Sequence, residues 1–356
     1  MDTYIGLDVH QASCTAAIMD RQGKRRRSVV LETNGSALVE FLKTLPGRLH
    51  VCLEEGTQSG WLYELLESHV TEIVVAHVGI GTNKATGPKD DTRDAYALAD
   101  RLRTGSIEAQ VYKLTGPFSM LRMLVKTHRA VTQDTVRVQL RIKALMRSRG
   151  VPAAGKEVYG LKARKAYLEA LPRSHRRSAE ILYEEYDLLS QVREEMVKEL
   201  VTESHQHPCT RILETVPGLG EIRVAQLVAT VVTPDRFRTR SQFWSYCGLG
   251  IVQRSSSDWV QDAKGRWARA EVQQTRGLNQ NHNALLKLVF KGAATTVIQQ
   301  QRAEEPLYQD YERLLAAGTK PNLAKLTLAR KIASTALTMW RRKEVYKPEL
   351  HRTKKS

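Results

Sequence analysis

The sequence predicts three parts in order: an α/β layer over residues 1–113, a basic helical middle over 114–207, and a mostly α-helical region over 208–345 with a basic tail at 346–356. Three observations carry this. Short apolar runs rich in β-branched residues alternate with helical spacing only in the first third. From residue 118 to 200 apolar residues recur at helical spacing alone. The charge also changes along the chain, from net −3 over residues 1–110 to +12 over 111–180 and +8 over 181–356. A length of 356 residues suits two or three domains. At 42% hydrophobic and 26% charged, the chain can bury real cores, which excludes a disordered polymer.

Residues 4–9 (Tyr-Ile-Gly-Leu-Asp-Val) read as a buried strand with one acid near its end. Residues 13–19 and 28–31 read as the second and third strands, and the short connections favour antiparallel hairpins. Leu38, Phe41, Leu42 and Leu45 mark a helix over 36–45, preceded by Asn34-Gly35. Residues 50–53 form a fourth strand ending in Glu54-Glu55-Gly56. Trp61, Leu62, Leu65 and Leu66 give an amphipathic helix over 61–70, residues 72–76 a fifth strand, and 90–102 another helix. The order β-β-β-α-β-α-β-α is that of an α/β layer sandwich with a mixed sheet.

In the middle, Leu121, Leu124, Val125, Val136, Leu140, Leu145 and Met146 predict long helices, broken at Gly150-Val151-Pro152. Leu182, Leu189 and Met196 lie seven apart. That stripe suits a short coiled coil or, equally, a helix packed inside one chain. His207-Pro208 marks the boundary to the third part.

A net charge of +17 and a pI near 9.8 point to a polyanionic partner, nucleic acid or an anionic membrane surface. No run of about 18 apolar residues is present, so no spanning helix is expected. The opening MDTYIGLDVHQ lacks the basic and apolar regions of a secretory signal. Cys14, Cys52, Cys209 and Cys247 lie far apart and read as reduced thiols of a cytosolic protein.

The carboxylates carry the first chemical signal. Asp8 lies in an apolar strand, where an uncompensated charge is costly. Asp91 and Asp94 are three apart on a helix and share a face that Leu98 and Leu102 continue, so it points to a core or cleft. Like charges so placed repel unless a cation lies between them. Two Mg²⁺ ions about 4 Å apart would meet that need and clamp the attacking and leaving oxygens of a phosphoryl transfer. The alternative is structural, with Asp91 capping the helix and Asp94 paired with Arg101 or Lys89. Asp8 on strand one, a glutamate ending strand four, and the helix acids follow the order of a ribonuclease-H-like nuclease core.

Further signals concern phosphate. Residues 213–220 (Leu-Glu-Thr-Val-Pro-Gly-Leu-Gly) precede an apolar helix and form a helix-hairpin-helix signature. Gly218 and Gly220 there would let a phosphate approach backbone N–H groups; a tight αα turn without ligand is the alternative. Ser255-Ser256-Ser257 alone is an ordinary loop, because a serine nucleophile needs a base or metal to activate it. Arg122, Lys126, Arg129, Arg137, Arg141 and Lys143 are candidate nucleic-acid contacts by charge. His205-x-His207-x-Cys209 fits no usual zinc spacing. Trp244, Trp259, Trp267 and Trp340 suit core and interface roles as well as base stacking.

Taken together, these motifs resemble the DEDD insertion-sequence transposases, which carry a RuvC-like, ribonuclease-H-like domain at the N-terminus and a serine-bearing transposase domain at the C-terminus. The resemblance rests on Gly6-Leu7-Asp8, on the Glu54-Glu55-Gly56-Thr57 run after an apolar strand, and above all on the helix Lys89-Asp90-Asp91-Thr92-Arg93-Asp94-Ala95-Tyr96-Ala97-Leu98-Ala99. In the C-terminal part it rests on Pro217 to Gly220, Arg236-Phe237, Gly248-Leu249 followed by Ser256, and Asn283 to Lys287. It covers roughly residues 3–115 and 210–300. Three departures stand out: Gly250-Ile251 follows Gly248-Leu249, Ser257-Asp258 follows Ser256, and Thr275-Arg276-Gly277-Leu278-Asn279 stands where the family usually has a lysine-glycine loop.

The resemblance implies a DNA recombinase guided by a structured (bridge) RNA. It implies Mg²⁺ held by Asp8, Glu54 or Glu55, Asp91 and Asp94. It also implies a covalent link from DNA to a serine, which register places at Ser256 among the three. Donor and target DNA, the guide RNA and a homodimer or homotetramer are the implied partners, with no membrane, in the nucleoid-associated cytoplasm. A metal-dependent, junction-resolving nuclease without covalent intermediate, or a non-catalytic nucleic-acid scaffold, are the rival readings.

Overall fold

The computed structural model describes residues 1–77, 90–107, 110–111, 116–253, 259–269 and 275–350. The chain divides into two compact units, residues 1–116 and 117–356.

The first unit runs β1 (Asp2–Val9), β2 (Ser13–Asp20), β3 (Arg25–Glu32), α1 (Gly35–Lys43), β4 (Arg48–Glu54), α2 (Ser59–Leu66), β5 (Glu72–Ala76) and α3 (Asp91–Thr104). The strands form one sheet in the order β3-β2-β1-β4-β5. β1, β2 and β3 pair antiparallel, while β4 and β5 run parallel to β1. This mixed five-stranded sheet with helices on both faces fits an RNase H-like fold.

Period-two alternation divides the side chains between the faces. Ile5, Leu7, Val51 and Leu53 pack with Leu38, Leu42, Leu62 and Leu66 of α1 and α2. On the other face Ala17 and Met19 meet Ala95, Tyr96 and Ala99 of α3, and Cys52 and Ala76 meet Leu98. β3 starts three residues earlier than the sequence predicts. Arg25, Arg26 and Arg27 are exposed on this edge strand, so no apolar alternation betrays it; pairing with β2 decides instead. The Arg25 guanidinium lies 4.7 Å above the Tyr96 ring, covering the end of the α3 packing.

The second unit is mostly helical: α4 (Ser119–Arg147), α5 (Leu161–Ala170), α6 (Arg173–Ser204), α7 (Pro208–Glu214), α8 (Glu221–Val231), α9 (Arg240–Tyr246), α10 (Ala284–Gln300), α11 (Pro306–Ala316) and α12 (Pro321–Arg342). Two short strand pairs lie between α9 and α10. The strands β6 (Ile251–Gln253), β7 (Trp259–Gln261), β8 (Trp267–Arg269) and β9 (Thr275–Leu278) pair as β6 with β9 and β7 with β8. The sequence reading contains no strand here, because each is three or four residues long.

α4 and α6 serve two cores. Val138, Ile142 and Met146 pack with Leu171 and Tyr183, and Leu182 and Leu189 border that cluster. Leu121, Leu124 and Leu200 join a larger core with α8, α10 and α12, which Met196 borders. The heptad stripe of α6 therefore packs within this unit.

Candidate metal centre

Alternation also sorts the acids. With Ile5 and Leu7 under α1 and α2, β1 turns Tyr4, Gly6 and Asp8 toward α3. With Val51 and Leu53 likewise taken and Cys52 against Leu98, Glu54 continues the α3 face. β1 and β4 are parallel, with Leu7 opposite Leu53. Asp8 and Glu54 therefore stand side by side at the carboxyl ends of adjacent strands, where open α/β sheets place their ligands.

The first turn of α3 completes the group. Asp90 is the helix cap, its carboxylate accepting the Thr92 N–H at 3.0 Å. The capping role open to Asp91 in the sequence is thus filled by its neighbour. Asp91 Oδ2 lies 3.2 Å from His10 Nε2, and Asp8 Oδ2 lies 3.5 Å from the same nitrogen. Ligand atoms of Asp8, His10 and Asp91 all fall within 4.8 Å of one another. The Asp8 side chain is the more buried carboxylate, 22% exposed against 49% for Asp91. Asp94 stands one turn further along α3 and is exposed; Lys89, one of its alternative partners, lies outside the described residues.

Glu55 turns elsewhere. Its Oε2 lies 3.1 Å from Nδ1 of His77, and its N–H donates to the Ala76 carbonyl.

This donor set fits a divalent cation. Carboxylate oxygens suit Mg²⁺ and Mn²⁺, and an imidazole nitrogen adds affinity for transition metals. Thiolates do not compete. Burial, aided by the Asp8 charge, pushes the Cys14 thiol up to about 12, and burial with the Glu54 charge does the same for Cys52. His10 is absent from the sequence reading. Its signal was the D-x-H pattern, since residues two apart on an extended chain share a face.

The other residues singled out by sequence are more dispersed. Ser255, Ser256 and Ser257 lie outside the described residues. Gly218 has φ +81°, and a Cβ there would lie 2.4 Å from the Ala293 carbonyl oxygen of α10, so both the backbone conformation and the packing require glycine. Gly220 caps α8 with open space beside it. The turn between α7 and α8 lines a cavity of about 380 Å³. Beside it, Arg223 Nη1 donates to the Gly218 carbonyl at 2.9 Å and to Thr296 Oγ1 at 3.0 Å.

On α4, Lys126, Arg129, Arg137 and Arg141 are exposed, and Arg122 and Lys143 are half-buried. Arg137 pairs with Asp134, and Lys143 donates to the Ala154 carbonyl at 2.8 Å. His205 bonds Glu214 at 2.8 Å and His207 stacks on Phe118, so neither joins Cys209 in a metal cluster. Trp340 is in the core, while Trp259 and Trp267 are exposed on the β7–β8 pair.

The sheet order, the carboxylates at the ends of β1 and β4, and the acids opening α3 define an RNase H-like protein with a candidate divalent-metal centre. Residues 5–149 match the model of DEDD transposases of the IS110 type, and residues 210–308 match the transposase family IS116/IS110/IS902. The two matches together cover more than half of the chain, which belongs to the IS110 family of DEDD transposases, enzymes that act on DNA. No curated protein matches it. Among the described residues, no helix is long and apolar enough to cross a membrane.

Proposed function

We propose that this transposase moves an insertion sequence by RNA-guided, site-specific strand exchange, with Asp8, Glu54, Asp91 and Asp94 binding Mg²⁺ and Ser256 as the nucleophile. The observation that carries the reading is the convergence of Asp8 and Asp91 on His10 Nε2, at 3.5 and 3.2 Å, at the carboxyl end of β1. Of the two glutamates, Glu54 shares the face of Asp8, so it is assigned to the centre and Glu55 is not. When bound, the divalent ions stabilise charge on the reacting phosphate and favour the ionised serine.

The residues divide the work. The four acids fix the position of the scissile phosphate relative to the centre, and His10 offers that centre a nitrogen donor beside Asp8 and Asp91. Ser256 Oγ loses its proton and attacks phosphorus, and the 3′ oxygen leaves and takes up a proton. A phosphoserine link and a free 3′-hydroxyl result. That hydroxyl then attacks the phosphoserine of the other strand and expels its serine. One phosphate ester replaces another at each step, so no ATP is consumed.

The acids and Ser256 lie more than 150 residues apart. Both act on one phosphate within a homodimer or homotetramer. Residues 1–113 supply the acids, 208–345 the serine, and the basic segment 111–180 binds the phosphates and 2′-hydroxyls of the guide RNA.

A strand-exchange assay on matched donor and target DNA tests it. Asp8→Asn and Ser256→Ala should each abolish exchange while DNA binding survives. DNA cleavage without exchange, lost with Asp8→Asn but kept with Ser256→Ala, would favour a metal-dependent nuclease, and binding without cleavage or exchange by the wild type would favour a scaffold.

A further inference from the structure

The second unit holds a cavity of about 730 Å³ beside α9, α12 and the segment that follows α12. Arg240, Arg313, Arg330, Lys331, Arg342 and Lys347 line it, against one acid, Glu344. Lys331 and Arg313 share the single carboxylate of the buried Asp310. The other four have no carboxylate partner among the described residues.

Arg330 is the telling member. Its Nε donates to the Leu249 carbonyl at 2.7 Å, but its Nη2 is buried with no hydrogen-bond partner among the described residues. Burial lowers its pKa, which measures the cost of keeping the charge there. A guanidinium stays protonated in a protein, so that cost calls for an anionic acceptor.

Two aromatic side chains are fixed at the same cavity. Trp244 Nε1 donates to Ser334 Oγ at 3.0 Å and to the Arg330 carbonyl at 3.2 Å. Tyr346 donates its hydroxyl to Glu305 at 2.6 Å. Both polar ends are satisfied elsewhere, and both side chains remain half-exposed. Both pack in part against the core, and only the surface each turns to the cavity is open to a flat ligand.

We propose that this cavity accepts one nucleotide of an unpaired nucleic-acid strand, its phosphodiester on Arg240, Arg330 and Arg342 and its base against Trp244 and Tyr346. A free phosphate would leave the aromatic wall unused. A duplex keeps its bases stacked inside and cannot insert one here without unpairing it. The volume lies within the range of cavities that enclose small ligands. Unpaired RNA and unpaired DNA share this chemistry.

The test measures binding of short labelled uridine and thymidine oligonucleotides and of a DNA duplex to the full chain. Arg240→Gln and Arg342→Gln should each weaken single-strand binding about fivefold or more, as removal of a base or phosphate interaction does. They should reduce the salt slope by about 0.7 for each phosphate no longer neutralised and leave duplex affinity unchanged. Iodouracil in the bound strand should crosslink wild-type protein at the peptides holding Trp244 or Tyr346, a readout that needs no substitution of either. Preference between the RNA and DNA arms identifies the natural strand. Equal losses on the duplex, unchanged single-strand binding in both variants, or crosslinks confined to other peptides would overturn the proposal.

Discussion

Gly6 of β1 and Ala95 of α3 meet backbone to backbone: a Cβ on Gly6 would lie 1.8 Å from the Ala95 carbonyl oxygen. One step of alternation from Gly6 is Asp8, and one turn back from Ala95 is Asp91. The close approach of sheet and helix thus sets the separation of the two carboxylates.

Gly6→Ala should push α3 off the sheet. The overpacking cost is about 1–3 kcal/mol, seen as a lower urea midpoint, and metal binding should weaken with it. Gly105→Ala is the control. Gly105 adopts φ +67° at the end of α3 with open space around it. Alanine there should cost about 1 kcal/mol and leave metal binding intact.

Metal should stabilise the protein through the candidate centre. Thermal unfolding of the wild type is expected to shift upward with Mg²⁺ or Mn²⁺, by about 2.7 kcal/mol at a hundredfold excess over Kd. Asp8→Asn and Asp91→Asn should abolish the shift and Glu54→Gln should reduce it, while Glu55→Gln should not alter it. Without metal, Asp8→Asn should melt no lower than wild type, since it relieves repulsion between two carboxylates. His10→Asn should weaken Mn²⁺ more than Mg²⁺, because nitrogen favours the transition metal.

Most strands and the acids were legible because β1, β2, β4 and β5 each have a buried apolar run and the acids lie in or at the end of such runs. β3 was legible only in part, since its exposed arginines carry no pattern. The sequence does not separate Glu54 from Glu55, because adjacent residues differ only in which face they take; Cys52 against Leu98 puts Glu54 on the face of Asp8. The α6 stripe at Leu182, Leu189 and Met196 reads alike for an intermolecular coiled coil and an intrachain hairpin, because both need the same spacing. The contacts of all three with buried clusters of their own unit supply what spacing lacks.

Acid should destabilise the second unit through His128. Burial, and secondarily the Arg193 charge, lower its pKa below the ordinary 6.5. Below that value the unfolded chain takes up a proton that the folded chain resists. Stability is therefore full above about 6.5, falls as pH drops from there through the folded-state pKa, and levels off beneath it. Urea midpoints across this window check the sign, and His128→Leu should remove this component of the loss.

The guide RNA is tested by purification. Protein isolated from cells carrying its gene with native flanking DNA should retain one discrete RNA that maps to the flank. Substituting exposed Lys126 and Arg129 on α4 should reduce the RNA retained and its salt resistance by roughly one phosphate contact each. Random RNA of many sequences would argue for charge alone.

The central claim is that the carboxylate centre and Ser256 act on one phosphate. Mass spectrometry of protein digested after reaction with donor DNA and Mg²⁺ addresses it most directly. The account predicts a nucleotide attached through phosphate to Ser256, absent with a chelator, with Asp8→Asn and with Ser256→Ala. Metal-dependent DNA cleavage with no such adduct, or an adduct that forms without metal, would contradict it.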